Sequence, residues 1–487
     1  MKTSMRSILL FSIVLLIGIQ SNAQTKKWTL QECVKHALEN NISVKQTELD
    51  IESADIAKSD AIGNFLPSLN ASASNNWNTG LTQNVTTGVL QTQTSRNSSY
   101  SVTAGVTIFN GLRNQRQLQR AKLSQLGAQY NLDKMQDDIA LFVANGFLQV
   151  LFNKANLEVV QAQNTVTQDQ IKRTNDLVDA GVLPRGDLLE IQATDASEKQ
   201  RITVSENAVT ISLISLAQLL LIDDYVNFDI ADDDYDIIQS SVANKDILEI
   251  LASAKESRSE IKIAEQNAGI AEKDLQIAKS SYYPTVNAFF NYNTRESGQN
   301  RIGQSLDTDN PFSISDEPIG FVEGTNENVF GLSPNFIIEE LNPLPFTEQL
   351  YLNDGISYGL SLNVPIFNGF STRNNVKRNR VNVKRANYQL EQATLDLEAN
   401  VYQAYVDSNG ALKAYESALK AFESQELAYQ YAKDRYDVGL TNAFDFSQSK
   451  LRYDNARIEV NRSKYDYIFK TKVLELYFGI PATELKF

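Results

Sequence analysis

The hexapeptide Ile108-Phe109-Asn110-Gly111-Leu112-Arg113 returns as Ile366-Phe367-Asn368-Gly369-Phe370-Ser371, 258 positions later. Each copy closes a run of strict alternation: Tyr100, Val102, Ala104, Val106, Ile108 in the first, and Tyr358, Leu360, Leu362, Val364, Ile366 in the second. Each then opens a long stretch without proline. A period of two followed by such a stretch reads as a strand that becomes a helix. The Asn-Gly pairs (Asn110-Gly111 and Asn368-Gly369) read as hinges, where glycine's missing Cβ frees φ.

The hinges belong to a duplication running nearly the length of the chain. A shift of 217 lays Leu30–Pro67 on Ile247–Pro284 without a gap, matching Ala37 to Ala254, Ala54 to Ala271 and Pro67 to Pro284. A shift of 258 lays Ile108–Ile222 on Ile366–Ile480, matching Gly181 to Gly439 and Asp187 to Asp445. Residues 24–222 are therefore expected as a first structural repeat and 246–487 as a second. Between them, 223–245 is an acidic linker with Asp223, Asp224 and Asp232-Asp233-Asp234. All ten prolines lie at junctions, and 68–183, 185–283 and 366–480 hold none. Since proline costs a helix interior about 3 kcal/mol, those stretches permit long helices.

Each half reads as helix, strand, loop, strand, long helix, turn, helix. Strands are expected at about 67–77, 99–109, 284–293 and 356–366. Helices are expected at 30–64, 112–180, 187–222, 246–281, 370–438 and 445–480. A helix over 112–180 measures about 100 Å. In each half the two shorter helices, placed end to end, match the long one, which predicts a tube wall of constant height. Ala404, Ser408, Ala411, Tyr415, Ala418, Phe422, Gln425, Tyr429, Ala432 and Tyr436 recur at steps of four and three, the spacing of coiled packing.

Residues 1–23 read as a secretory signal: Lys2 and Arg6, the apolar run Ile8–Ile19, then a Ser21-Asn22-Ala23 cleavage site. Past it no 18-residue apolar segment is expected, so membrane insertion would have to use strands. The four strands are long enough to cross an outer membrane at a tilt, and Trp77, Tyr100, Phe109, Tyr292, Tyr358 and Phe367 lie near their ends. An ordinary half-buried sheet shows the same period; the signal favours the membrane. The smallest bacterial barrels have about eight strands, and an open edge in lipid leaves backbone groups unpaired. Several copies must therefore share one barrel. The segment 297–354 is too long for a hairpin loop and is expected to be extracellular; the sequence leaves open whether it folds over the mouth or hangs free. A net charge of −14 and a pI near 4.8 argue against nucleic acid as a partner, and the one cysteine, Cys33, excludes an internal disulfide.

Several ordered motifs then resemble the TolC family of outer-membrane efflux and secretion channels. They are Trp28-Thr29-Leu30 with Ala37-Leu38-Glu39-Asn40-Asn41, the strand entries Leu66-Pro67-Ser68 and Tyr283-Pro284-Thr285, the paired Ile-Phe-Asn-Gly exits, and two hairpin tips. The tips read Leu177-Val178-Asp179-Ala180-Gly181-Val182-Leu183 and Arg435-Tyr436-Asp437-Val438-Gly439-Leu440-Thr441. The resemblance implies an α+β membrane protein: a homotrimer whose 12-stranded β-barrel, four strands per chain, sits in the cell outer membrane and continues as a helical coiled-coil barrel through the periplasm. It places the 223–245 linker near the tunnel equator and implies a periplasmic adaptor and an inner-membrane transporter as partners.

The resemblance also marks positions. An acidic ring lines the periplasmic aperture of the family six residues past the hairpin glycine, with a second acid three further on. Asp445 matches the first position and Gln448 replaces the second; Asp187 and Glu190 are the first-half equivalents. The alternative for these acids is a first-turn carboxylate favoured by the helix dipole. Tyr436 matches a tyrosine that latches the closed aperture, or it simply ends the coiled-coil seam. Thr441 stands where the family has an arginine. Gly181, Val182 and Leu183, with Gly439, Leu440 and Thr441, resemble adaptor-docking tips, although a glycine there also suits a helix end. Arg113, Arg116, Arg120 and Lys122, then Arg373, Lys377, Arg378, Arg380, Lys384 and Arg385, follow the strand exits without an acid among them. They are expected either to meet outer-membrane lipid headgroups or to form a solvated face.

No Ser-His-Asp set, phosphate loop or Cys/His cluster marks an enzyme, and no cofactor or metal is expected. The only histidine, His36, reads as a surface or packing residue. The leading expectation is an outer-membrane channel that gives small molecules or drugs an exit path within a tripartite efflux system. The alternatives are the outer-membrane component of a type I protein secretion system, and a periplasmic coiled-coil structural or adaptor protein.

Overall fold

The computed structural model of the chain describes residues 26–83, 89–231, 242 and 245–481; the expected signal, Asp232-Asp233-Asp234 and the last six residues lie outside them. In chain order the first half contains β1 (Lys27–Trp28), α1 (Leu30–Asn40), α2 (Ile42–Gly63), β2 (Ser68–Gln83), β3 (Leu90–Phe109), α3 (Arg113–Asp179), α4 (Arg185–Leu219) and β4 (Asp229–Ile230). The second half contains α5 (Ile247–Ser257), α6 (Ser259–Ser280), β5 (Thr285–Ser297), β6 (Arg301–Leu306), β7 (Phe312–Phe321), β8 (Asn328–Pro334), β9 (Phe336–Leu341), α7 (Phe346–Leu352), β10 (Gly355–Asn363), α8 (Ser371–Asp437) and α9 (Ala443–Phe478). Two compact units result: Met1–Lys58 with Gln119–Lys273 and Asn379–Phe487, and Ser59–Leu118 with Asp274–Arg378.

The first unit is helical. Thr29 caps α1 with a reciprocal Glu32 box, and Asp246 caps α5 through the Leu248 amide. The expected single helices over 30–64 and 246–281 are each broken, at Asn41 and Arg258, where ψ reaches 133° and 130°. Neither break involves Pro or Gly. Asn41 turns the chain by accepting the Ser43 amide at 2.9 Å, while Arg258 buries its guanidinium against Asp137 at 3.1 Å and Glu260 at 2.8 Å. These two positions are related by the 217 shift. The largest core packs Leu30, Cys33 and Ala37 of α1 against Val143, Phe147 and Val150 of α3 and Leu216 of α4. Along α8 the expected seam is real: Ala404, Ser408, Ala411, Ala418 and Tyr436 are buried, and Tyr415, Phe422, Gln425, Tyr429 and Ala432 are half-buried between exposed neighbours.

One expectation fails here. Helix α4 is long and apolar enough, by length and composition, to cross a membrane, with 22% of its most apolar 18 residues buried. Uncharged Thr, Ser, Asn and Gln interrupt its apolar residues, which hides the stretch from a reading that looks for an unbroken apolar run although few charges stand in it.

In the second unit β10, β5, β3 and β2 form an antiparallel sheet in that order, so β2 and β10 are edges. Its register sorts the residues into two faces. One carries Leu69, Ala71, Ala73, Val102, Ala104, Val106, Ala288, Phe290, Tyr292, Tyr358, Leu360 and Leu362; the other is almost wholly Ser, Thr, Asn and Gly. The strands differ from the expected limits: β2 and β3 run on as a polar ladder to Gln83 and from Leu90, β5 extends to Ser297, and β10 stops at Asn363 ahead of Val364-Pro365. Proline has no N–H for a ladder, and a Ser/Thr ladder carries no apolar alternation to reveal it.

The 297–354 segment is structured rather than irregular. β6 pairs with β9 and β7 with β8, and α7 is pinned to β5. The buried Gln349 amide accepts from Ser297 N and donates to Ser297 O and Leu344 O, and Thr294 Oγ1 donates to Leu350 O at 2.8 Å. Phe346 meets Tyr100 edge-on at 6.0 Å. Tyr100 and Thr294 share the apolar face, so α7 lies on that face.

Candidate functional site

The two tips are built alike. At the end of α3, Gly181 takes φ +72° and the Val182 and Leu183 amides donate back to Leu177 O; at the end of α8, Gly439 takes φ +75° and Leu440 N donates to Arg435 O. A Cβ would meet nothing within 4 Å at either glycine. Glycine is used here for its left-handed backbone, which closes the helix end. Val182 and Leu440 stand 65% and 69% exposed, and Leu183 and Thr441 are half-buried.

The expected aperture residues divide into two groups. Tyr436 is buried: its hydroxyl pairs with Thr174 Oγ1 at 3.0 Å and its ring stacks on Phe446 at 5.1 Å. Next to it, Arg173 Nη1 meets Asp437 Oδ1 at 2.8 Å. Two contacts therefore tie the α3 tip to the α8 tip. Asp445, by contrast, is exposed in the first turn of α9; Asn442 is the N-cap, its side chain accepting the Asp445 amide at 2.8 Å. Asp187 is half-buried in the first turn of α4 behind Pro184. Glu190 and Gln448 come together on the walls of a cleft of about 310 Å³ between α4 and α9.

Sequence reasoning missed the floor of that cleft. Lys450, 5% exposed, pairs with Glu198 Oε1 at 2.8 Å and donates to Gln163 O at 2.7 Å and to Thr167 Oγ1. Asn164 Nδ2 donates to the other Glu198 oxygen at 3.3 Å. Asp454 lies in the same cleft, buried and, among the described residues, without a hydrogen bond. Burial pushes its carboxyl up to about 7, against the pull of Lys450, with Glu198 adding to the rise. The duplication offers no signal for this cluster, because the shift of 258 carries Glu198 to Ala456 and Lys450 to Gln192.

At the hinges the Asn side chains cap the following helices. Asn110 Oδ1 accepts Asn114 N at 3.3 Å, and Asn368 Oδ1 accepts Thr372 N at 3.5 Å. Left-handed backbone extends one residue beyond each glycine, to Leu112 and Phe370, both at φ +65°. Gly111 is needed twice over, since a Cβ there would lie 2.7 Å from Ser280 O and 2.8 Å from Tyr283 Cβ. No three-residue His/Cys/Asp/Glu group able to hold a metal exists among the described residues.

A sheet with one apolar and one polar face, open at both edges, in a chain of coiled long helices is the arrangement that a channel subunit sharing its barrel with further copies requires. Solved structures agree in fold. The CmeC outer membrane channel of Campylobacter jejuni is similar with a TM-score of 0.73 at 14% identity over 92% of this chain and 85% of that one. The outer membrane protein VceC of Vibrio cholerae gives 0.70 at 14%, over 92% and 96%. The MtrE outer membrane channel of Neisseria gonorrhoeae in its open state gives 0.67 at 16%, over 92% and 88%. No curated protein sequence matches. Residues 33–220 and 351–479 match the outer membrane efflux protein family, more than half of the chain, and the chain belongs to that family. It is an outer-membrane efflux channel with its helical part in the periplasm.

Proposed function

We propose that three copies of this chain form a passive duct through which small molecules leave the cell, loaded through a periplasmic adaptor by an inner-membrane transporter. The observation that carries this reading is the two-faced sheet with two free edges. A face of Val, Ala, Leu, Phe and Tyr suits lipid, a face of Ser, Thr, Asn and Gly suits a water-filled lumen, and free edges demand further copies. Three copies supply twelve strands.

The α3–α8 tie at Tyr436–Thr174 and Arg173–Asp437 is the latch of the aperture, and the exposed Asp445 and Gln448, with Asp187 and Glu190, line its approach. Gly181–Leu183 and Gly439–Thr441 are the docking points for the adaptor. The test is single-channel conductance in planar bilayers together with drug susceptibility of a deletion strain. Tyr436→Phe is expected to raise conductance, and Asp445→Ala to reduce its sensitivity to multivalent cations. A deletion strain with unchanged susceptibility would refute the efflux role.

A further inference from the structure

We propose that the cleft at the first strand-to-helix hinge seats an anionic phospholipid from the inner leaflet of the outer membrane, its phosphate held by Arg116 and Lys279 and its acyl chains laid against Phe109, Leu112 and Tyr283. This rests on the apolar face of the sheet being the lipid-facing one, and adds a site for one lipid class. The cleft exists because the hinge is tight. Gly111, without a Cβ, brings the entry of α3 against the end of α6, where a Cβ would lie 2.7 Å from Ser280 O. The space beside this contact is about 340 Å³.

Sheet register decides which side the cleft opens on. Thr107 pairs with Asn287 on the polar face, and a bulge then sets Phe109 opposite Val286. Val286 also pairs with Leu362 and continues the apolar row of Ala288, Phe290 and Tyr292. Phe109 therefore joins the apolar face, at the end of the sheet from which the chain passes into helices that lie in the periplasm. Leu112 and Tyr283, which line the cleft with it, are 51% and 55% exposed.

The polar lining supplies the charge. Arg116 stands in the first turn of α3, within the acid-free run from Arg113 to Lys122, and Lys279 in the last turn of α6. Among the described residues no carboxylate lines the cleft. The helix dipole favours Lys279 at a C-terminus but opposes Arg116 at an N-terminus. A phosphate seated there offsets that cost, and a guanidinium binds one through paired N–H groups. Gln276 lines the cleft as well; its Oε1 is buried and, among the described residues, has no donor. The hydroxyls of a glycerol headgroup are donors of the kind such a buried acceptor needs. The duplication separates what the hinge needs from what the site needs. The shifts of 258 and 217 carry Phe109, Leu112 and Tyr283 to Phe367, Phe370 and Leu66, all apolar, but carry Arg116, Lys279 and Gln276 to Asn374, Ile62 and Ser59. The hinge repeats without the cations, so its geometry does not require them.

Native mass spectrometry tests the site, with the oligomer purified from outer membranes in mild detergent and mixed with dioleoyl-phosphatidylglycerol or dioleoyl-phosphatidylcholine. The wild type is expected to retain phosphatidylglycerol, up to one per chain, under activation that strips phosphatidylcholine. Arg116→Gln with Lys279→Gln is expected to lose that retention, and Lys384→Gln with Arg385→Gln, two exposed cations on α8, to keep it. Lys279→Gln alone leaves α3 untouched; it is expected to weaken retention and serves if the first double variant does not assemble. Unchanged retention in the Arg116 and Lys279 variants, equal loss in both double variants, equal retention of the two lipids, or displacement by soluble glycerol phosphate overturns the proposal. A wild-type oligomer that conducts in planar bilayers yet retains no phosphatidylglycerol overturns the lipid site and leaves the duct standing. Retention by an oligomer that does not conduct refutes the duct alone, and if the chain forms no oligomer in the outer membrane both readings fail.

Discussion

At the scale of single residues, the chain places unusual demands on a few positions. Gly111→Ala forces a Cβ onto the Ser280 carbonyl in a left-handed backbone. It is expected to cost more than the roughly 1–2 kcal/mol of the backbone term alone, read as a lower unfolding midpoint. Asp454 gives a pH dependence with a definite sign. Its folded-state pKa of about 7 is raised from 3.8, so the protonated carboxyl favours the folded cleft. That contribution is complete below about pH 4 and is lost as pH rises through 7. Since a pKa unit corresponds to about 1.4 kcal/mol, the span is on the order of a few kcal/mol. Thermal midpoints measured across pH 4–8 are expected to fall in the wild type and to flatten in Asp454→Asn; an unchanged slope refutes the assignment. Of these residues only Gly111 was legible beforehand, through its repeated Asn-Gly. Asp454 sits among ordinary acids of a charged helix, and its burial depends on three helices meeting.

At the scale of elements, the strand-to-helix exits, the tip glycines and the α8 seam could all be read directly, because each is a local pattern with a local cause. The breaks at Asn41 and Arg258 could not. Helix propensity does not forbid either residue; beside the local contacts to Ser43 and Glu260, each break engages a partner far along the chain, the Leu219 carbonyl for Asn41 at 3.4 Å and Asp137 for Arg258 at 3.1 Å. Arg258→Ala would leave the half-buried Asp137 and Glu260 carboxylates without their shared cation. A destabilisation of about 3 kcal/mol is expected, visible as faster amide exchange in α5 and α6. If the break is independent of the ion pair, exchange will change only at 258–260. The tip contact is smaller: Tyr436→Phe removes one buried hydrogen bond, about 1 kcal/mol, so its effect on conductance should exceed its effect on stability.

At the scale of the whole molecule, the membrane location was legible in the secretory signal taken together with the alternating strands and the aromatic residues near their ends, but the structured 297–354 segment was not. Its anchoring depends on Gln349 satisfying backbone groups at Ser297 and Leu344, which no periodicity announces. Gln349→Ala is expected to release α7 while leaving the four-stranded sheet intact, measurable as protease cleavage near 345–353 in whole cells. The two free edges carry a genetic consequence. A chain with one edge spoiled, for example by proline at Tyr358, can still offer its other edge to a normal copy and draw it into a defective ring. If rings contain three copies, equal expression of both chains leaves about one ring in eight free of the fault, so such an allele should behave as dominant rather than recessive.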